Sequence, residues 1–138
     1  MFNSQKVGIA LYENLGKLFY AVAMADGTVH IKELDKLKEI VRDSWLDVDD
    51  IEDRYHSDAA YQIETVFDWL LEYDKESGEC FEEFADFYQG HPALFPDHIK
   101  KLIKDTANAI ANSFAGKNKA ELILLAKIDL LLKNGPKV

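Results

Sequence analysis

A chain of 138 residues with 48% hydrophobic and 30% charged side chains is long enough for one domain with its own core, and its balance excludes a disordered segment. Sixteen Lys and Arg stand against 25 Asp and Glu, a net charge of −9. That sign argues against nucleic acid, which demands a basic footprint. The single Cys80 excludes an internal disulfide and fits a reducing compartment.

Helical spacing dominates the chain. Val7, Leu11, Leu15, Leu18 and Val22 recur at helical steps and predict one face of a first helix from about Ser4 to Ala25. Gly27 ends it. A second helix is expected over about Ile31–Ser44, with Ile31, Leu34, Leu37 and Val41 inward. Leu46–Asp50 reads as an acidic connector into a short helical turn around Ile51–Tyr55. Asp58 is the expected cap of a third helix whose buried stripe is Ile63, Val66, Phe67, Leu70 and Leu71.

Asp74-Lys75-Glu76-Ser77-Gly78 is a turn by composition. The fourth helix carries Phe81, Phe84, Ala85 and Tyr88 inward and stops at Gly90-His91-Pro92. Pro96 and Asp97 open a fifth, with Ile99, Leu102, Ile103, Thr106 and Ile110. The last helix, Lys119 to about Lys133, is apolar on nearly all sides, which predicts a central place in the bundle. No segment alternates as a strand does. The expected fold is all-α, a single domain over 1–138 built as a bundle of six or seven helices.

A weak internal repeat accompanies this pattern. Ala21–Leu34 parallels Ala109–Leu122, with Glu121-Leu122 matching Glu33-Leu34. The second turn is one residue shorter and carries Lys117 and Lys119.

Ala23-Met24-Ala25 looks like a signal-peptidase site, but Glu13, Asn14 and Lys17 interrupt any apolar region before it. The apolar run Leu18–Ala25 is far too short to span a bilayer. The expected location is the cytoplasm.

Charge is uneven. Residues 43–90 hold 16 acidic side chains against Arg54 and Lys75, a local net of −14. Residues 96–138 hold four acidic and eight basic side chains, a net of +4. The acidic middle suits cations or a protein with a basic surface, or it is a solvated face that keeps the chain in solution.

The candidate sites begin at Asp26-Gly27-Thr28-Val29-His30-Ile31-Lys32-Glu33, which has the spacing of the back half of an EF-hand loop. Val22 and Met24 stand where the front half needs hard oxygen ligands, so a standard EF-hand is excluded. The same residues also suit a plain helix–turn–helix corner. Gly27 then takes the positive φ of a C-terminal cap and Glu33 the third position of a capping box.

The pattern Ala-Asp-Gly-x-Val-x-x-x-Glu-Leu over residues 25–34 closely resembles the TerB-like (tellurite-resistance) family of small all-helical bacterial proteins. The likeness is tight over residues 18–41 and loose over both halves of the chain. It implies a compact bundle with pseudo-two-fold halves, a non-enzymatic stress-associated role, and a divalent cation, calcium or similar, near the first helix end of each half. By position it implicates Asp26, Glu33 and Glu121 as metal ligands.

Other clusters carry less. Asp74–Glu83 mimics a calcium loop but is two residues short. Asp47, Asp49, Asp50, Glu52 and Asp53 read as a solvated connector. His30, His56, His91 and His98 lack metal-ligand spacing and read as surface or capping residues. Asp129 is expected to pair with Lys133, four residues on. Cys80, set among Glu79, Glu82 and Glu83 with no basic neighbour in view, is not expected to be a nucleophile. No spacing nominates a catalytic pair. Two functional expectations stand: a TerB-like module binding a divalent cation at the Asp26-Gly27 turn, and a metal-free module docking a basic partner through residues 43–90.

Overall fold

The computed structural model describes residues 5–25, 31–45, 56–73, 75–113 and 119–134. They form six α-helices: α1 (Gln5–Ala23), α2 (Ile31–Trp45), α3 (His56–Glu72), α4 (Ser77–Gly90), α5 (Asp97–Ser113) and α6 (Lys119–Asn134). A 3-10 turn, Pro92–Leu94, bridges α4 and α5. No strand occurs among the described residues. The turn expected at Ile51–Tyr55 and the acidic connector before it lie outside them.

The bundle is organised around α1. From Leu18 to Ala23 every side chain of this helix is buried, and α1 packs against α3, α4, α5 and α6. A helix buried on all sides is a central helix. The sequence assigned that place to α6, and this is corrected. α6 packs on α5 and α1, burying Leu124, Ile128 and Leu132 but leaving Leu122, Ile123 and Leu130 about half exposed. An apolar sequence creates a demand for cover but does not supply neighbours. Here α1 has taken them.

The expected stripes are buried where their side chains are described, with Val66, Leu71, Ala85 and Leu102 partly buried; the side chains of Val7, Ile31 and Leu34 lie outside the described set. Leu37 and Val41 of α2 face inward, as do Ile63, Phe67 and Leu70 of α3 and Phe81, Phe84 and Tyr88 of α4. On α5 the buried face is Ile99, Ile103, Thr106 and Ile110. Thr106 is accommodated there because its hydroxyl donates to Leu102 O at 2.7 Å.

Three local expectations change. α3 begins at His56, so Asp58 is its third residue rather than its cap. α4 begins at Ser77, so Ser77 and Gly78 belong to the helix and the turn before it is shorter than composition suggested. Asp129 pairs with Lys104 of α5 at 3.3 Å instead of Lys133. That bond ties two helices together, where the expected one would have stayed within α6.

The α4–α5 corner follows its residues closely. His91 N–H closes the end of α4 on Tyr88 O at 3.2 Å, and Pro96 O accepts from Ile99 and Lys100 N–H at 2.9 and 3.0 Å. Phe95 meets Phe84 and Tyr88 edge to face, at centroid distances of 5.9 and 4.9 Å. Such edge contacts align the positive rim of one ring with the negative face of another.

Candidate functional site

Of the three implicated carboxylates, Asp26 lies outside the described residues. Glu33 and Glu121 are each the third residue of their helix, α2 and α6, so the repeat seen in the sequence is kept in helical register. The side chains of both lie outside what the structure describes. The end of α1, the other half of the suggested cation site, is described.

Three of its carbonyls already accept hydrogen bonds. Tyr20 O accepts Met24 N–H at 2.8 Å, and Val22 O accepts Ala25 N–H at 3.3 Å. Ala21 O accepts the Ser77 hydroxyl at 2.8 Å. The start of α4 thus caps the end of α1, satisfying groups that a helix leaves open. Among the described residues no three His, Cys, Asp or Glu side chains converge as a metal would need.

Beside that cap lies a charged cluster. Lys17 of α1 meets Glu83 at 3.0 Å, and Lys75 meets Glu79 at 3.2 Å and Glu83 at 4.0 Å. Cys80 sits under these groups and is fully buried. Burial pushes its thiol up to about 11 from 9.0; the Glu83 and Glu79 carboxylates add to that rise, and Lys75 and Lys17 oppose it. The folded chain thus brings basic neighbours that the sequence did not show, and burial outweighs them. The thiol is inert.

The sign of its pH effect follows. The thiol is held protonated in the native state above its ordinary value, so its contribution to stability is complete below about pH 9. It is lost as pH rises through about 11. Cys80→Ala is expected to flatten that part of the stability curve, read from denaturant midpoints across the interval. An unchanged alkaline slope would count against it. Tyr12 keeps some slope in both proteins, because burial raises its phenol as well.

Two apolar surfaces stand out from the charged exterior. On α3 and the turn after it, Trp69 is 49% and Tyr73 60% exposed, with ring centroids 5.1 Å apart. They lie off the Ile63–Phe67–Leu70 stripe, beside the exposed carboxylates of Glu72 and Glu76. Asp68 on the same helix is bonded to Lys38 at 2.9 Å. On α6 the solvent side presents Leu122, Ile123, Ala126 and Leu130, with Lys119 and Lys133 at its two ends.

The sequence reading missed both surfaces. Their signal was present in the helical wheel, where Trp69 falls away from the core stripe of α3. Exposed aromatic residues so placed are easily read as extra core. No helix among the described residues is long and apolar enough to cross a membrane. Compared with protein-family profiles, with characterised proteins and with solved structures, the chain finds no match.

Proposed function

We propose that this protein is a non-enzymatic helical interaction module that docks a partner with a basic, amphipathic surface on the acidic outer face of α3. The exposed Trp69–Tyr73 pair carries the reading. Two touching aromatic rings, 49% and 60% exposed, are costly to leave wet and are the residue types that anchor interfaces. Glu72 and Glu76, both exposed and three residues after Trp69 and Tyr73 in the chain, supply the charge that selects the partner and steers its approach. Three cations from α1 and α2 neutralise part of the acidic middle through Lys17–Glu83, Lys38–Asp68 and Arg42–Glu64.

The test is calorimetric titration with a synthetic amphipathic lysine–leucine helix. Binding is expected to weaken steeply with salt and to ignore chelators. Trp69→Ala should cost about 2 kcal/mol, roughly thirty-fold in affinity. Equal affinity in the variant, or binding indifferent to salt, would sink the reading.

A second reading, the TerB-like cation site at Asp26, is favoured by one observation: Glu33 and Glu121 share the same helical register. In the same titrations it predicts the opposite dependence. Stripping divalent ions would lower the melting temperature of the wild type and leave Asp26→Asn unaffected.

A further inference from the structure

We infer that the basic, amphipathic surface recognised by the acidic α3 face is the α6 face of a second copy of this chain, so that copies join head to tail. The inference rests on the docking reading of Trp69 and Tyr73 and names their partner.

The α6 face has the required chemistry. Leu122, Ile123, Ala126 and Leu130 fall on the solvent side of one helix at helical spacing, and Leu122, Ile123 and Leu130 are 50%, 49% and 57% exposed. Exposed Lys119 and Lys133 close the two ends of this stripe. Beside it, a groove of about 300 Å³ runs between Ala107 of α5 and Leu122, Leu125 and Ala126 of α6, lined also by the Lys104–Asp129 ion pair. That is the small end of the range for binding pockets, suited to a single large side chain. The α3 face offers one in Trp69, with carboxylates next to it.

Charge decides the pairing. α3 carries Asp58, Glu64, Asp68 and Glu72 with no Lys or Arg, and α6 carries Lys119, Lys127 and Lys133 against Glu121 and Asp129, so opposite charges meet when α3 of one copy faces α6 of another. A symmetric α6–α6 contact would instead place lysines against lysines. Antiparallel helices bring Lys119 of one beside Lys133 of the other, and parallel helices pair each with itself. Like charges at an interface are disfavoured. Nor can one copy cover its own surfaces, because both faces are exposed in the folded chain. The resulting contact is heterologous, and such contacts grow into rings or filaments until closure.

Complementary variants test this. Sedimentation velocity is run on wild type, Trp69→Ala and Leu130→Glu across a range of protein and salt concentrations, with melting curves to confirm folding. Both substitutions sit at exposed positions, where folding is ordinarily retained. The wild type is expected to gain mass with protein concentration at low salt and to lose it as salt rises. Each variant alone should stay monomeric. Their equimolar mixture should form a dimer and grow no further, because one copy keeps the α3 face and the other the α6 face.

A wild type that stays monomeric, a mixture no larger than its parts, or self-association of Trp69→Ala alone would overturn the inference. Monomeric wild type that still binds the lysine–leucine helix through Trp69 would overturn self-recognition and leave the docking reading standing. Monomeric wild type that also fails to bind the helix would remove both.

Discussion

Replacing Gly16 by leucine is expected to abolish the cooperative thermal transition of this protein. Gly16 lies in the middle of α1, packed against Ile63 and Val66 of α3. A Cβ there would stand 2.9 Å from Val66 Cβ, 3.0 Å from Val66 Cγ1 and 3.2 Å from Ile63 O. A branched β-carbon and a backbone carbonyl cannot swing aside as a long side chain can. The helices would have to separate, and with them the Leu15, Phe19, Ile63 and Phe67 core on either side.

Alanine at the same position is the sharper version of the test. In an exposed helix, glycine to alanine gains about 1 kcal/mol of helix propensity. Overpacking of a close contact costs about 1–3 kcal/mol, so Gly16→Ala is expected to lower stability overall, by a few degrees in melting temperature. Leucine adds three more carbons to the same contact and belongs with the rare substitutions above about 4 kcal/mol. Chemical denaturation of the alanine variant and thermal melting of both provide the check. An alanine variant more stable than wild type would show that α1 and α3 have room between them.

Removing the Arg42 side chain is expected to cost about 2 kcal/mol, with most of the loss recovered when Glu64 is replaced as well. Glu64 is a buried acidic residue, 7% exposed, and it receives Arg42 as a fork, Nη2 to Oε1 at 2.8 Å and Nε to Oε2 at 3.2 Å. Deleting one member of a buried pair leaves a desolvated charge and typically costs about 3–5 kcal/mol. The Arg42 side chain is 51% exposed, so water screens part of the interaction and the lower figure applies. Arg42→Lys should rescue little, because an ammonium cannot offer the planar fork.

A double-mutant cycle with Arg42→Met and Glu64→Leu separates pairing from packing. The double variant is expected near wild-type stability, since apolar replacement of a buried pair is often neutral. If Arg42→Met alone unfolds at the wild-type midpoint, the fork contributes nothing to the α2–α3 contact. These two sites, Gly16 with Val66 and Arg42 with Glu64, hold α3 in place. The orientation of Trp69 and Tyr73 toward solvent depends on that placement.

All six helices could be read from spacing, because a helix that buries one face must repeat its apolar residues at that period. Leu11, Leu15, Leu18 and Val22 on α1 and Ile99, Ile103 and Ile110 on α5 are buried as their spacing required. The inert character of Cys80 was readable as well, though its first cause is burial, where the sequence pointed to acidic neighbours. The Asp26-Gly27 motif and the matching positions of Glu33 and Glu121 were also plain in the chain. Their convergence into a site depends on how distant turns approach one another, which spacing along a helix does not specify.

What escaped the sequence was every choice of partner across the bundle. The apolar α6 was expected at the centre, but α1 holds that position and α6 keeps an apolar face in water. Asp129 had Lys133 within one turn, and it bonds to Lys104 on another helix. The carbonyls at the end of α1 were open to a ligand on paper, and Ser77, far along the chain, occupies one of them. Periodicity and capping are short-range properties that a chain carries in its own order of residues. Which faces are covered and which remain to receive a partner is settled by competition among all six helices for the same buried space, and only the tertiary structure decides it.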